Sequence, residues 1–307
     1  MRNAFADELT SLGASDPRVV LLSGDIGNRL FDKFKDAAPT RFYNCGIAEA
    51  NMMSVAAGLA MNGLRPVVYT ITPFTTTRCY EQIRVDVCYH HAPVIIVGTG
   101  SGLSYAQLGP THHSLEDIAI LRALPGMTVF CPADSYELRA GMREAFNLDG
   151  PVYIRLGKKG EPAVHAAIPN LKLGVADTLQ PGDDVCLLGV GNALKLAVEA
   201  AAALKEKGMS VRVVSLHTIK PLDTEMLAEV FSTCKAVAVV EEHSIIGGAS
   251  SAVAEWVSGQ TNLKARLVSC ALDDRFYHRA GSQAQLRVEG GLTREAVLHK
   301  IAHAMAA

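Results

Sequence analysis

Two consecutive α/β domains, each built on a parallel sheet, are what this sequence predicts, and three observations predict them. Short β-branched runs alternate with amphipathic helical segments through the first half. A polar interruption follows, and the same alternation then restarts. The chain has 307 residues, which accommodates two domains at roughly 100–200 residues each. Regular alternation of strand and helix favours parallel strands with helices on both faces, because each crossover must bury its apolar stripe on the sheet.

Helical spacing of Phe5, Leu9 and Leu12 predicts an N-terminal helix. Arg18–Leu22 (RVVLL) reads as a buried strand, followed by a polar turn over Ser23–Asn28. Gly46–Gly63 is rich in Ala and Met and predicts a helix. Arg65–Thr70 and Pro93–Gly98 are strands, with a helix between them around Tyr80–Tyr89. Met127–Cys131 and Val152–Arg155 follow as strands, separated by a helix over Ser135–Asn147. Gly157–Gly174, polar and broken by Gly and Pro, has the composition of a linker. Beyond it, strands are expected at Asp184–Val190, Val211–Leu216, Ala236–Glu241 and Arg266–Cys270. Helices are expected at Ala193–Lys207, Thr224–Phe231 and Ser250–Val257. The expected domains are therefore 1–160 and 176–307, joined by a linker at 161–175. The two halves share a style and no residue-level repeat.

Composition narrows the function. A formal net charge of −2 lacks the basic excess that tracking nucleic-acid phosphates requires. No apolar run approaches the ~18 residues of a membrane span. The first residues lack the apolar core and small-residue site of a signal peptide, so a soluble cytoplasmic protein is expected. Seven dispersed cysteines with no Cys-x-x-Cys pair suit reduced thiols better than disulfides or a zinc site, and no metal ligands are expected in this chain. Gly189-Val-Gly191 lies between a strand and a helix, where phosphate loops occur. Leu194 stands where a dinucleotide fingerprint needs its third Gly, so a tight turn is the better reading.

The segment Cys45-Gly-Ile-Ala-Glu49-Ala-Asn-Met-Met53 carries more information. It places a carboxylate at the start of an apolar helix, where it could handle a proton on a ring nitrogen. A first-turn glutamate favoured by the helix dipole is the alternative. Gly46-Ile-Ala-Glu49-Ala-Asn-Met resembles a segment of the pyrimidine-binding domain of transketolases and 1-deoxyxylulose-5-phosphate synthases. Gly109-Pro-Thr-His112 resembles their Gly-Pro-Thr-His loop, and Ser114–Glu137 and Val239–Ala254 fit the same superfamily in the same order.

The resemblance implies a thiamine-diphosphate enzyme that transfers a two-carbon ketol unit from a ketose to an aldose or other carbonyl acceptor. It makes Glu49 the glutamate that hydrogen-bonds N1′ of the aminopyrimidine, activating the cofactor for carbon–carbon cleavage. Phe74 is the aromatic packed on that ring, and Tyr80 also matches an aromatic of the pocket; ordinary core aromatics are the alternative for both. Asp25 resembles an aspartate close to the cofactor, or is a turn residue. His112 corresponds to the histidine that contacts the oxygens of the transferred unit, with His113 beside it. Arg155, at a strand's carboxyl end, corresponds to an arginine that binds substrate phosphate. Arg2 and Arg29 are further candidates for the same anion, or plain surface charges.

Two departures from the family pattern matter. Leu108 replaces an acid that reads an acceptor hydroxyl, which implies an altered acceptor such as a branched, deoxy or sulfonated sugar. Gly-Asp-Gly, which with a later Asn holds Mg²⁺ and the diphosphate, is absent. A partner subunit carrying Gly-Asp-Gly…Asn would therefore supply the Mg²⁺ ligands, in an expected α2β2 assembly. The competing readings are the β subunit of a 2-oxoacid dehydrogenase and a non-catalytic interaction subunit.

Overall fold

The computed structural model describes residues 1–27 and 29–306. The turn expected at Ser23–Asn28 ends on a residue outside that range. Twelve strands are formed among the described residues: β1 Val19–Ser23, β2 Phe42–Asn44, β3 Arg65–Ile71, β4 Ile95–Thr99, β5 Thr128–Phe130, β6 Val152–Leu156, β7 Asp177–Gln180, β8 Val185–Gly189, β9 Val211–Ser215, β10 Thr218–Lys220, β11 Ala236–Ser244 and β12 Arg266–Leu272.

They form two sheets, ordered β10-β5-β6-β4-β3-β1-β2 and β12-β11-β8-β9-β7. Strands β1, β3, β4 and β6 are parallel and wholly buried, as suits their largely apolar sequences. Their register sets Ser23 level with Tyr69, and Ile71 level with Thr99. The loops after β1, β3 and β4 consequently leave the sheet at one edge, its carboxyl edge, where open α/β sheets bind ligands. Under the sheet, Phe5 stacks on Tyr69 at 5.4 Å and Phe31 meets Tyr69 edge-on at 5.0 Å.

The expected parallel sheets each carry one antiparallel edge strand, β10 on β5 and β7 on β9. Strand β10 is contributed from beyond the interruption, so the first sheet is completed by the second half of the chain. Both halves also share one apolar cluster, in which Leu22, Val68 and Ile96 join Leu188, Val214 and Val239.

The expected linker is pinned. Asp134 caps the helix Ser135–Asn147 through Oδ1 and accepts Val164 N and His165 N, both at 2.8 Å, through Oδ2. The helix expected over Gly46–Gly63 runs from Glu49 to Met61, and Gly46 stays outside it at φ +68°. The helix around Tyr80–Tyr89 widens into a π-type turn over Ile83–Tyr89. Helices Gln283–Glu289 and Arg294–Ala306, for which no element is expected from the sequence, complete the second half. No described helix is long and apolar enough to cross a membrane.

Candidate active site

Glu49 is the first residue of its helix and only 5% exposed. The preceding loop is tied to the end of β1. Cys45 N donates to Ser23 O at 2.8 Å, Asp25 N to Gly46 O at 3.2 Å, and Gly46 N to Asn44 Oδ1 at 2.9 Å. Asp25 is exposed, and its carboxylate accepts Asn44 Nδ2 at 3.0 Å, so it braces the loop that delivers Glu49.

After β3 the threonine-rich stretch Thr72–Thr77 makes short helical turns. Thr72 Oγ1 donates to Thr99 O at 3.1 Å, and Thr75 and Thr76 donate back to Thr72 O at 3.1 and 2.7 Å. These bonds satisfy buried hydroxyls and fix the turn. It presents Phe74 and, four residues on, Arg78. Arg78 Nη1 donates to Glu49 Oε2 at 2.9 Å, while its guanidinium lies 4.0 Å from the Phe74 ring centroid. The array continues into the loop after β4, where His112 meets Phe74 edge-on at 5.3 Å and lies 6.1 Å from the Tyr105 ring.

Burial and then the Arg78 charge push the His112 imidazole below its ordinary value. Neutral imidazole can then both give and take a hydrogen bond at pH 7. Lys158 Nζ lies 4.5 Å over the Tyr105 ring, and Arg2, Lys158 and Lys159 line one cavity of ≈ 240 Å³. The arrangement thus runs from a buried carboxylate, along an aromatic wall, to a histidine and then to a cluster of cations.

Several expected site residues stand elsewhere. Arg155 is 3% exposed. Its Nε and Nη2 grip Asp117 at 2.7 and 3.2 Å, and Nη2 also reaches Ser114 O at 3.1 Å and Glu242 O at 3.0 Å. Burial alone would raise the Asp117 carboxyl, but the Arg155 guanidinium overrides this and holds it below its ordinary value. In this placement Arg155 commits Nε and Nη2 to joining interior segments. Tyr80 spends its hydroxyl on Ile120 O at 3.0 Å. His113 is buried behind the loop, with Nε2 3.4 Å from Ala106 O. Leu108 is 48% exposed on the same loop as His112, and Arg29 is exposed after β1.

Arg78, Tyr105 and Lys158 are absent from the sequence expectations. Only Arg78 left a local signal, its i, i+4 spacing from Phe74. Tyr105 meets His112, and Lys158 meets Tyr105, through packing alone.

Comparison with known proteins gives this geometry a family. Residues 1–161 match the family description "Transketolase, pyrimidine binding domain", and residues 174–297 match "Transketolase, C-terminal domain". The chain belongs to the transketolase family. Among curated transketolase relatives, it is 38% identical over 260 residues to a subunit of the apulose-4-phosphate transketolase of Actinobacillus succinogenes, covering 85% of this chain and 83% of that one. It is 37% identical to a subunit of the 6-deoxy-6-sulfo-D-fructose transketolase of a Clostridium species, covering 83% and 80%. A solved structure described as "Split gene transketolase, inactive beta4 tetramer" superposes with a TM-score of 0.90 at 37% identity, covering 99% of this chain and 97% of that one.

The transketolase family implies thiamine diphosphate, and the side chains fit one end of that cofactor. A buried carboxylate and an aromatic ring, the two groups an aminopyrimidine requires, stand together, joined by Arg78. Among the described residues no group of three or more His, Cys, Asp or Glu could hold a metal ion.

Proposed function

We propose that this chain is the pyrimidine-side subunit of a split transketolase and transfers a two-carbon ketol unit only when assembled with a diphosphate-side partner. The observation that carries the reading is the Glu49–Arg78–Phe74–His112 array at the carboxyl edge of the first sheet. Bound thiamine diphosphate would supply a carbanion-stabilising centre. Glu49 would hold a proton at the ring nitrogen N1′, and Arg78, bound to Oε2, would keep the carboxylate aimed. Phe74 would cover the pyrimidine face. Neutral His112 would hydrogen-bond the oxygens of the two-carbon unit.

The partner would bring Mg²⁺ and its ligands, and an α2β2 assembly is the arrangement we favour. Apolar side chains flanking Glu49 are exposed, Ile47 at 82% and Tyr43 at 52%, which suits a second polypeptide closing this edge. The relative described as an inactive β4 tetramer is in keeping with a subunit that needs a partner.

We further assign the substrate's distal anionic group to Lys158 and Arg2, beyond Tyr105. Exposed Leu108 cannot accept a hydrogen bond from an acceptor hydroxyl, so the acceptor departs from an ordinary aldose phosphate. Relatives named for apulose 4-phosphate and 6-deoxy-6-sulfo-D-fructose support such a substrate, and both names carry an anionic group.

The test is Glu49→Ala in the complex reconstituted with its diphosphate-side partner. Loss of ketol transfer by more than about 100-fold is expected, as for removal of an acid–base group. Undiminished transfer would sink the assignment.

A further inference from the structure

The loop from Gly102 to Ser114 carries Tyr105, Leu108 and His112, and its two ends are held from the other half of the molecule. Gly102 and Ser114 close its base with reciprocal backbone bonds of 3.0 Å. Between them the backbone bonds are turns within the loop, such as Ala106 N to Leu103 O and His112 N to Gly109 O, both 3.0 Å. The base is therefore where the loop's backbone is anchored, while ring contacts with Phe74 and Lys158 hold His112 and Tyr105 further out.

Strand β11 grips that base on both sides. The Glu242 carboxylate, 0% exposed, accepts Leu103 N at 2.7 Å, both its oxygens accept Gln283 Nε2 at 2.9 and 3.0 Å, and Arg287 Nε ion-pairs with it. On the other side Arg155 Nη2 bridges Ser114 O and Glu242 O, and Ser244 N donates to Leu115 O at 3.0 Å. Contact at Gly102 is tight: at φ +62° a Cβ would lie 2.2 Å from Glu242 Oε1. A buried carboxylate with three different donors costs desolvation, which a domain joint could avoid with apolar packing. What the carboxylate supplies in addition is direction, because its hydrogen bonds fix Leu103 N in one place.

We propose that Glu242, with Arg287 and Gln283 behind it, is a positioning residue for the reaction. By this assignment the C-terminal domain serves to set the His112 loop against Phe74 and Glu49. The inference rests on the ketol-transfer reading for its catalytic consequence, though not for the clamp. Displacing a contact group by about 1 Å can cost as much as 100-fold in rate.

The test uses the full chain reconstituted with its partner and compares Glu242→Ala, Glu242→Gln and Gly102→Ala. Hydrogen exchange of peptides covering 103–113 and 49–61 is read beside kcat, KM and the affinity for thiamine diphosphate with Mg²⁺. Glu242→Ala leaves Leu103 N without its acceptor, and exchange at 103–113 should accelerate about tenfold or more. Exchange at 49–61 and cofactor affinity should hold, and kcat should fall at least tenfold with KM changing less. Glu242→Gln, whose amide oxygen still accepts, should recover much of both. Gly102→Ala, which pushes on the same contact, should reproduce the loss even if Glu242→Ala does not fold. Unchanged loop protection in Glu242→Ala would overturn the clamp, and a loosened loop with unchanged kcat would overturn its part in the reaction. Loosening in a complex that transfers no ketol unit would uphold the clamp and sink only the functional reading.

Discussion

Replacing Arg155 by Met separates an interior role from a substrate role. The side chain is 3% exposed and Asp117 is 1% exposed, so the substitution leaves a carboxylate deep in the protein with only the Tyr153 hydroxyl, at 2.6 Å, still directed at it. Breaking a buried pair by removing one partner costs about 3–5 kcal/mol, because the remaining charge is uncompensated. Met fills most of the vacated volume, so little further cost comes from a cavity. Ser114 O and Glu242 O lose a shared donor as well, which places the expectation at the upper end. Urea denaturation at fixed protein concentration measures it. The sign with pH is also fixed. With Arg155 gone, only the Tyr153 hydroxyl and nearby His243 still oppose burial at Asp117, so its carboxyl should rise and the variant should regain stability as pH falls. Asp117→Asn added to Arg155→Met should recover part of the loss, since no charge is then left behind. A loss under about 1 kcal/mol, together with a several-fold rise in KM for an anionic sugar, would refute this reasoning and return Arg155 to phosphate binding.

Three further outcomes are expected. Lys158→Met should raise KM for a phosphorylated or sulfonated donor about tenfold, the worth of one charge-assisted contact, with kcat changing less; equal kinetics in both proteins would remove Lys158 from the site. Leu108→Asp should improve ordinary aldose phosphates relative to the native acceptor in competition assays, and an unchanged ratio would mean that this position does not read the acceptor. His165 contacts Asp134 at 3.0 Å and Asp177 at 3.3 Å. Burial lowers its imidazole, but these carboxylates outweigh burial and raise it to about 10. Its stabilising contribution is therefore complete below the ordinary value near 6.5 and is lost as pH rises toward about 10. Glu137, lifted by burial to about 7, loses stability in the same direction at lower pH. His165→Gln should flatten the denaturation midpoint between pH 7 and 10, and a parallel decline in both proteins would count against the linkage.

Local pattern made the central strands, the long helices and Glu49 legible. Strands such as Ile95–Thr99 are continuous apolar runs, and a carboxylate opening an Ala- and Met-rich helix departs from its neighbours wherever the chain folds. Short strands were not legible in the same way. Thr218–Lys220 has three residues, too few for a period, and is a strand only because β5 offers it an edge.

Arg155 shows the limit most plainly. Its position at a strand's carboxyl end is a matter of sequence, and that position suits a ligand contact. Whether its donors face solvent depends on Asp117 and Glu242, residues 38 and 87 positions away. The sequence by itself determined two α/β domains, a carboxylate and a histidine in a recognisable order, and the absence of a diphosphate motif. Tertiary structure decided which cation covers Tyr105 and which arginine is buried, and it gave the second half of the chain the hold on the active-site loop. The physical reason is range: helical and strand periodicity are written within a few residues, whereas burial and ion pairing are settled by partners that only the folded chain brings within about 3 Å.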